Sequence, residues 1–336
     1  MRLGKLPPDV LERLLAQLPH VDARVAVGPR PGEDAAVIAI GDARLVVTTD
    51  PITFVSARSA WYALQVNAND IAAMGTEPSW LALTALFPPE TNERQLDALF
   101  SQLRTACLEL GIEIVTGHTE VTDAVVRPVL VGTMLGLAPP EGAIGSGGAK
   151  VGDVLIVAGA AAVEGTAALA AEAGAALSAA GLTAEQIAEA AALIDDPGIS
   201  VLAASRSLRS ACRPHALHDA TEGGIATAIR ELAEASHLGV RVWLGEVPLL
   251  PITRTLCAAL GLDPFGLLSS GCLLAAVAAE DVGDALRQLR HDGISAAKAG
   301  GFTPPGPLLA LTERDAQSLP AFDRDEIARW FEAQPR

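Results

Sequence analysis

Aromatic residues are scarce in this chain: four Trp, one Tyr and seven Phe make up 4% of 336 residues. Its cores must therefore be filled by Ala, Val, Leu and Ile. Cysteine is rarer still. Cys107, Cys212, Cys257 and Cys272 form no C-x-x-C pair and no zinc-type spacing, which excludes the common zinc frameworks. Cys107 and Cys257 sit in apolar helical patterns, where a buried reduced thiol is the expected state. Basic charge is also short. Lys and Arg total 24 against 40 Asp and Glu, for a net charge of −16. Nucleic acid and anionic membranes demand clustered cations, so neither is an expected partner. Nucleotide binding stays open, because carboxylates can hold Mg2+ and Mg2+ can hold a polyphosphate. No apolar stretch reaches the ~20 residues of a membrane span. The nearest, Gly159–Ala180, is interrupted by Glu164 and Glu172. Met1–Leu18 reads as a charged amphipathic helix and not as a signal peptide. A cytoplasmic, reducing location is the resulting expectation.

The usual nucleotide signatures are missing too. There is no G-x-x-x-x-G-K-[ST], no kinase H-R-D or D-F-G set and no Rossmann glycine fingerprint. Any ATP site must be of a less common type.

Hydrophobic residues make up half of the chain. Single cores stop growing at roughly 250–300 residues, so two domains are expected. The segment Gly136–Lys150, GLAPPEGAIGSGGAK, has no periodicity and is the candidate boundary. It separates a domain over 1–140 from one over 150–310, with a tail over 311–336.

In the first half, helices are expected over Leu6–Leu18, Ser59–Met74 and Asn92–Leu110. Strands are expected over Ala35–Ile40, Leu45–Thr49, Trp80–Phe87, Ile112–Val115 and Val125–Leu135. The second half alternates strands at Val154–Ala158, Ala216–His218, Val240–Trp243, Leu273–Val277 and Ala297–Phe302 with helices. Those helices start near Glu164 and run over Ala184–Leu193, Ser200–Ser210, Ile225–Ala235, Thr253–Leu260 and Val282–His291. An exposed helix over Asp323–Ala333 closes the chain. The first half reads as α+β with a substantial antiparallel sheet.

Four polar islands interrupt these apolar elements: Gly32-Glu33-Asp34, Thr48-Thr49-Asp50, Asn67-Ala68-Asn69-Asp70 and Gly117-His118-Thr119-Glu120. Asp50 follows a strand and precedes Pro51, so turn chemistry explains it as well as function does. Asp70, Asn67 and Asn69 are harder to explain structurally. They are weak helix formers inside an apolar helix, and a carboxylate there needs a partner. Local rules are broken most often at functional sites. The glycine loop before Glu33 and Asp34 can bring backbone close to a phosphate, a weak signal by itself. His118 reads equally as a hydrogen-bonded loop histidine. As a set, the acids suit a hard cation such as Mg2+.

In the second half, HDATEGG is the densest signal. His218 and Asp219 end a strand, Thr221 is placed to cap the next helix, and Gly223-Gly224 let its N-terminus approach a ligand. Such an N-terminus favours anions, although an ordinary strand–cap–helix junction has the same composition.

The ordered series GEDAAVI, LVVTTDPITF, VNANDIAAMGTEPSW, GHTEV, GAKVGDVLIVAG, EGTAALA, HDATEGGIATAI and LLSSGCLLAAV resembles the aminoimidazole ribonucleotide synthetase (PurM-like) superfamily. That superfamily includes thiamine-monophosphate kinase, selenophosphate synthetase and the hydrogenase-maturation protein HypE. The resemblance runs from about Lys5 to Gly301, and the HDATEGG and SSG blocks look most like HypE-type proteins. It implies a two-domain fold, with an N-terminal α+β domain whose antiparallel sheet forms a homodimer and a C-terminal α/β domain. ATP would bind in a cleft between the domains and across the dimer, and a small-molecule substrate would be activated at an oxygen. By the same resemblance Asp34, Asp50, Asp70 and Glu120 would hold Mg2+. Gly32, Glu33, Asn67, Asn69, Gly117, His118, Gly223 and Gly224 would contact the nucleotide. Asp219, Thr221 and Glu222 would carry the chemistry, and Lys5 and Lys150 are candidates to reach a phosphate.

Three departures qualify this expectation. HypE-type carbamoyl dehydratases carry their carbamoyl group on a cysteine at the extreme C-terminus. This sequence ends WFEAQPR with no cysteine after Cys272, so that carrier step is not expected. His118 stands where relatives carry an acid, with Glu120 as its possible replacement. Thr221-Glu222-Gly223 stands in place of a kinase-like S-D-G. A non-catalytic nucleotide-binding maturation partner, and a thiamine-monophosphate kinase-like enzyme, are therefore the alternatives to an ATP-dependent enzyme.

Overall fold

The computed structural model describes residues 6, 8–53, 58–313 and 315–334; Lys5 lies outside them. The chain divides into two compact units. One comprises His20–Pro29 and Asp34–Ala143. The other comprises Met1–Pro19, Arg30–Glu33 and Ile144–Arg336.

In chain order, helix α1 (Pro8–Leu15) precedes the smaller unit, which holds β1 (Val25–Val27), β2 (Ala36–Ile40), β3 (Ala43–Ile52), α2 (Ser59–Ala73), β4 (Trp80–Phe87), α3 (Glu93–Leu110), β5 (Glu113–Val121) and β6 (Val129–Leu137). Its six strands are ordered β1-β2-β3-β6-β4-β5. All pair antiparallel except β4 with β5. Strand β4 alternates half-buried and buried residues along its whole length, the pattern of a strand with one face in a core. Helix α2 lies on β3 and β6. Helix α3 opens on a capping box, in which the Asn92 side chain accepts from the Gln95 N–H while Gln95 returns a bond to the Asn92 N–H. It closes on Gly111 in the left-handed region.

The larger unit continues with β7 (Val154–Ala158), α4 (Val163–Glu172), α5 (Gly174–Ala179), α6 (Ala184–Ala192), α7 (Leu202–Ala211), β8 (Ala216–Ala220), α8 (Gly224–Ala235), β9 (Gly239–Val242), α9 (Pro251–Leu260), β10 (Cys272–Val277), α10 (Val282–His291), β11 (Ala296–Thr303), β12 (Leu308–Leu311), β13 (Ala316–Ser318) and α11 (Glu326–Glu332). Its seven-stranded sheet runs β13-β12-β9-β11-β7-β10-β8. Only β9 and β12 pair parallel. Strands β7, β8 and β10 are buried at every residue. Their core, with Ile225, Ile229 and Leu232 of α8, is aliphatic apart from Cys272 and Phe302, with Phe265 packed at its edge, as the scarcity of aromatics requires.

The structure corrects several expectations. The strand expected to stop at Thr49 runs on through Asp50 and Pro51 to Ile52, in register with β6. Beyond Val47 it no longer pairs with β2, so Pro51 disturbs no ladder on that side. The GHTE island does not follow a strand but lies within β5, which pairs with β4 up to Val121. An exposed edge strand has no inward face to keep apolar, so its polar residues mimic a loop in the sequence. The last helix is shorter than expected, Glu326–Glu332, and its start is buried at Asp325 and Glu326. Short β1, β12, β13 and α5 give too few residues for a periodic signal. No described helix is long and apolar enough to cross a membrane.

Candidate functional site

In the smaller unit α2 organises the acids. Gln65, Asn67, Asn69 and Asp70 are all buried on this helix, so its polar residues need partners from the sheet beneath. Thr48 on β3 supplies one: its Oγ1 lies 2.6 Å from Asp70 Oδ2 and 3.1 Å from the Asp34 carbonyl oxygen. Asn67 clamps the next strand position. Its Oδ1 accepts the Asp50 N–H at 3.0 Å, and its Nδ2 donates to the carbonyls of Ala63 (2.8 Å) and Asp50 (3.4 Å). Strand β6 must give way here. A Cβ on Gly132 would lie 2.6 Å from Asn67 Nδ2, so glycine is what lets the amide sit over the strand. Thr48 and Asn67 thus tie the Asp34, Asp50 and Asp70 segments together. Among the described residues, these three do not place one ligand atom each within 4.8 Å of one another. The donors offered are carboxylate and amide oxygens, which suit Mg2+ and not zinc or copper.

Gly117, His118 and Glu120 lie elsewhere in that sheet. Strands β6 and β4 separate β5 from β3, roughly 14 Å at the usual strand spacing. Within one chain, His118 and Glu120 are therefore not brought to Asp50. They pair with each other, His118 Nε2 to Glu120 Oε2 at 2.9 Å, on the exposed strand. A Cβ on Gly117 would lie 2.5 Å from the Leu83 carbonyl oxygen, so close strand packing already requires this glycine.

Gly32 and Glu33 belong to the larger unit. Gly32 has φ +75°. The Glu33 carboxylate pairs with Arg30, and its Oε1 accepts the Ser146 N–H at 3.2 Å. It braces the segment that opens the larger unit. Lys150 Nζ lies 3.0 Å from His215 Nε2, and His215 Nδ1 lies 2.9 Å from Asp153 Oδ2.

The HDATEGG block spans β8 and the turn into α8. His218 and Asp219 are buried, and His218 Nε2 lies 3.0 Å from Glu231 Oε2. Thr221 stands two positions before the N-cap of α8. Gly223, at φ +79°, holds the N-cap position, and no side chain there bonds the first turn. The left-handed backbone excludes Thr from that position and favours glycine. The amide expected to await an anion already has one, since Gly223 N–H donates to Asp325 Oδ2 at 2.7 Å. Glu222 is exposed and Thr221 half-buried.

Two buried acids stand beside this block, Glu164 and Asp325. Glu164, in the first turn of α4, is buried and bonded to Ser270. Burial, reinforced by Asp325 and Glu222 nearby, pushes its carboxyl up to about 7. Burial likewise raises Asp325 to about 6, against the pull of three backbone N–H groups. Glu164 stood in the EGTAALA block, where a lone acid in an alanine-rich run was the available signal. Asp325 gave none. The cysteines are free; Cys257 and Cys272 are buried, and Cys107 is only half-buried. Burial pushes the Cys212 thiol up to about 11 and those of Cys257 and Cys272 to about 12, so they are not poised as thiolate nucleophiles.

Two family models match in series. Residues 32–138 match the AIR synthase related protein N-terminal domain, and residues 150–307 match its C-terminal domain. A carbamoyl dehydratase HypE from Rhodobacter capsulatus is 30% identical over 76% of this chain and 74% of its own. The chain belongs to the AIR synthase related family. A carbamoyl dehydratase HypE from Rhizobium leguminosarum bv. viciae is 26% identical over 91% of this chain and 85% of its own. The fold is shared with a crystal structure of hydrogenase maturation protein HypE in complex with ATP, at a TM-score of 0.72 and 22% identity. That likeness covers 95% of this chain and 91% of that one.

Proposed function

We propose that this chain is an ATP- and Mg2+-dependent enzyme that activates an oxygen of a small substrate by phosphoryl transfer. The observation that carries this reading is the bond from Thr48 on β3 to Asp70 on α2, with Asn67 fixing the Asp50 backbone. An apolar helix spends three buried positions on Asn67, Asn69 and Asp70, and oxygen donors so placed fit a hard cation. Asp34, Asp50 and Asp70, which do not converge on a single ion, would hold Mg2+ ions at separate positions on the nucleotide phosphates, where the metal supplies charge neutralisation. Phosphoryl transfer asks mainly for positioning and such neutralisation. Thr48 and Asn67 would orient the acids. Asp219, Thr221 and Glu222 would orient the substrate and accept its proton. The relative crystallised with ATP and the relatives named carbamoyl dehydratases support this reading.

A homodimer is part of the proposal. Strand β5 is an edge strand of nine residues, exposed at every one of them, including Ile114, Val115 and Val121. Long, partly apolar edges of this kind invite pairing, and a second copy is the partner that would cover it. Magnesium-dependent ATP turnover by the purified chain, with Asp70→Ala as control, tests the proposal. Turnover lost in the variant supports it. ATP binding without turnover would favour the non-catalytic maturation-partner reading instead, and phosphate transfer to thiamine monophosphate would favour the kinase-like one.

A further inference from the structure

Three motif turns of the larger unit nest together, and one residue from the far end of the chain ties two of them. The Ser269 N–H donates to the Thr221 carbonyl at 3.2 Å, joining the turn before β10 to the turn before α8. The start of α4 joins the same turn, because the Gly165 N–H donates to the Leu268 carbonyl at 2.9 Å and Ser269 Oγ accepts the Ala162 N–H at 2.9 Å. These approaches leave no room for side chains. A Cβ on Gly165 would lie 2.5 Å from Leu267 Cγ, and one on Gly224 would run into the Phe265 carbonyl.

Asp325 reaches this nest from 102 residues beyond Gly223. Its Oδ2 accepts the Gly223 N–H at 2.7 Å. Its Oδ1 accepts the Leu268 N–H at 3.3 Å and the Ile327 N–H at 2.9 Å. The segment around it is anchored along its length. The Leu319 carbonyl accepts from Arg230 Nη2 at 3.1 Å, and the Phe322 ring lies on Gly266, where a Cβ would collide with it. Glu326 Oε2 accepts the Asp263 N–H at 2.9 Å, and Arg329 Nη2 donates to the Gly261 carbonyl at 3.0 Å. Gly223 and Gly224 both have positive φ, so the turn that carries Thr221 and Glu222 has little stiffness of its own. The N-cap residue, Gly223, has no side chain with which to cap the helix. The turn closes on its own Gly224 N–H to Thr221 carbonyl bond at 3.1 Å, and Asp325 adds the bond that ties it to the rest of the unit.

We propose that Asp325 is a positioning residue: docked by the segment Leu319–Arg329, its carboxylate fixes the Thr221–Gly224 turn against the Leu267–Gly271 turn and so sets where Thr221 and Glu222 meet the substrate. This rests on reading that turn as the substrate side of the proposed reaction. Each bond is to a charged acceptor, the stronger class of hydrogen bond. The role belongs to the carboxylate's acceptor oxygens, and a side chain that keeps one of them keeps part of the role.

The test compares the full chain with Asp325→Ala and Asp325→Asn by amide hydrogen exchange and Mg-ATP turnover. Losing a charge-assisted bond should speed exchange at residues 221–224 and 267–270 by about tenfold or more in Asp325→Ala, with the smaller unit unchanged. Turnover should fall by about tenfold or more, with KM for ATP within about twofold. Asp325→Asn, which keeps one acceptor oxygen for Gly223 but turns an NH2 toward the Leu268 and Ile327 N–H groups, should recover part of the protection at residues 221–224 and part of the turnover. Unchanged exchange at the two turns, or an Asn variant as impaired as the Ala variant, would overturn the proposal. If the Ala variant does not fold, exchange in the Asn variant decides: faster exchange at residues 267–270 than in the parent chain supports positioning, and exchange unchanged at both turns overturns it. No turnover by the unaltered chain would count against the proposed function, leaving exchange at the two turns to decide the role of Asp325 by itself.

Discussion

Thr48 on β3 and Asp70 on α2 meet at 2.6 Å, hydroxyl to carboxylate, in the interior of the smaller unit. A buried carboxylate deprived of such a donor costs free energy on the order of a charged hydrogen bond, about 2 kcal/mol. Thr48→Val keeps the shape and removes the donor. It should lower stability by about 2 kcal/mol in denaturant unfolding. A midpoint unchanged from the parent chain would show that Thr48 does not support Asp70.

Gly132 and Asn67 set a second prediction. The Cβ of Gly132→Ala would meet Asn67 Nδ2 at 2.6 Å, and overpacking of this kind costs about 1–3 kcal/mol. Because Asn67 also holds the Asp50 backbone, ATP affinity in the presence of Mg2+ should fall with stability. Gly41→Ala, where a Cβ would meet nothing within 4 Å though φ is +58°, serves as the strained control away from the acids. It should lose stability and keep affinity.

Glu164 makes stability depend on pH. Its folded carboxyl is raised from 4.5 to about 7, first by burial. The folded chain therefore holds that proton more tightly than the unfolded chain. The stabilisation is complete below pH 4.5 and is lost as pH rises through 7, in total roughly 3 kcal/mol. Asp325, raised from 3.8 to about 6, adds a loss of the same sign at lower pH. Glu164→Gln cannot ionise, so its melting temperature should exceed that of the parent chain at pH 8.5 and match it at pH 5. An equal gap at both pH values would contradict the assignment.

Strand β5 carries the prediction about assembly. The unaltered chain should sediment as a dimer, and Val115→Lys with Val121→Lys should give a folded monomer, since lysine on an edge blocks pairing. A monomer before any substitution would remove β5 as a self-association surface.

Much of this architecture was legible in the sequence, for identifiable reasons. Trp80–Phe87, Val154–Ala158 and Val282–His291 match their expected bounds because apolar periodicity and stops such as Pro88 mark them locally. The odd polar residues of α2 were legible because Asn67, Asn69 and Asp70 oppose their helical surroundings. Thr48 was seen only as part of an island, since nothing local says that it faces Asp70. Strand β5 was obscured because exposure on both faces erases alternation. Asp325 was beyond reach. Its partners are Gly223 and Leu268, and a bond made 102 residues away leaves no mark on the spacing of its neighbours.

The measurement that bears most directly on the central claim is a titration of the purified chain with ATP, with and without Mg2+, alongside Asp70→Asn. Asparagine keeps an oxygen for the Thr48 hydroxyl, so the fold should survive while the charge is lost. ATP binding should require Mg2+ in the parent chain and be weakened tenfold or more, about 1.4 kcal/mol, in the variant. Equal binding by the two proteins, or binding indifferent to Mg2+, would contradict that claim.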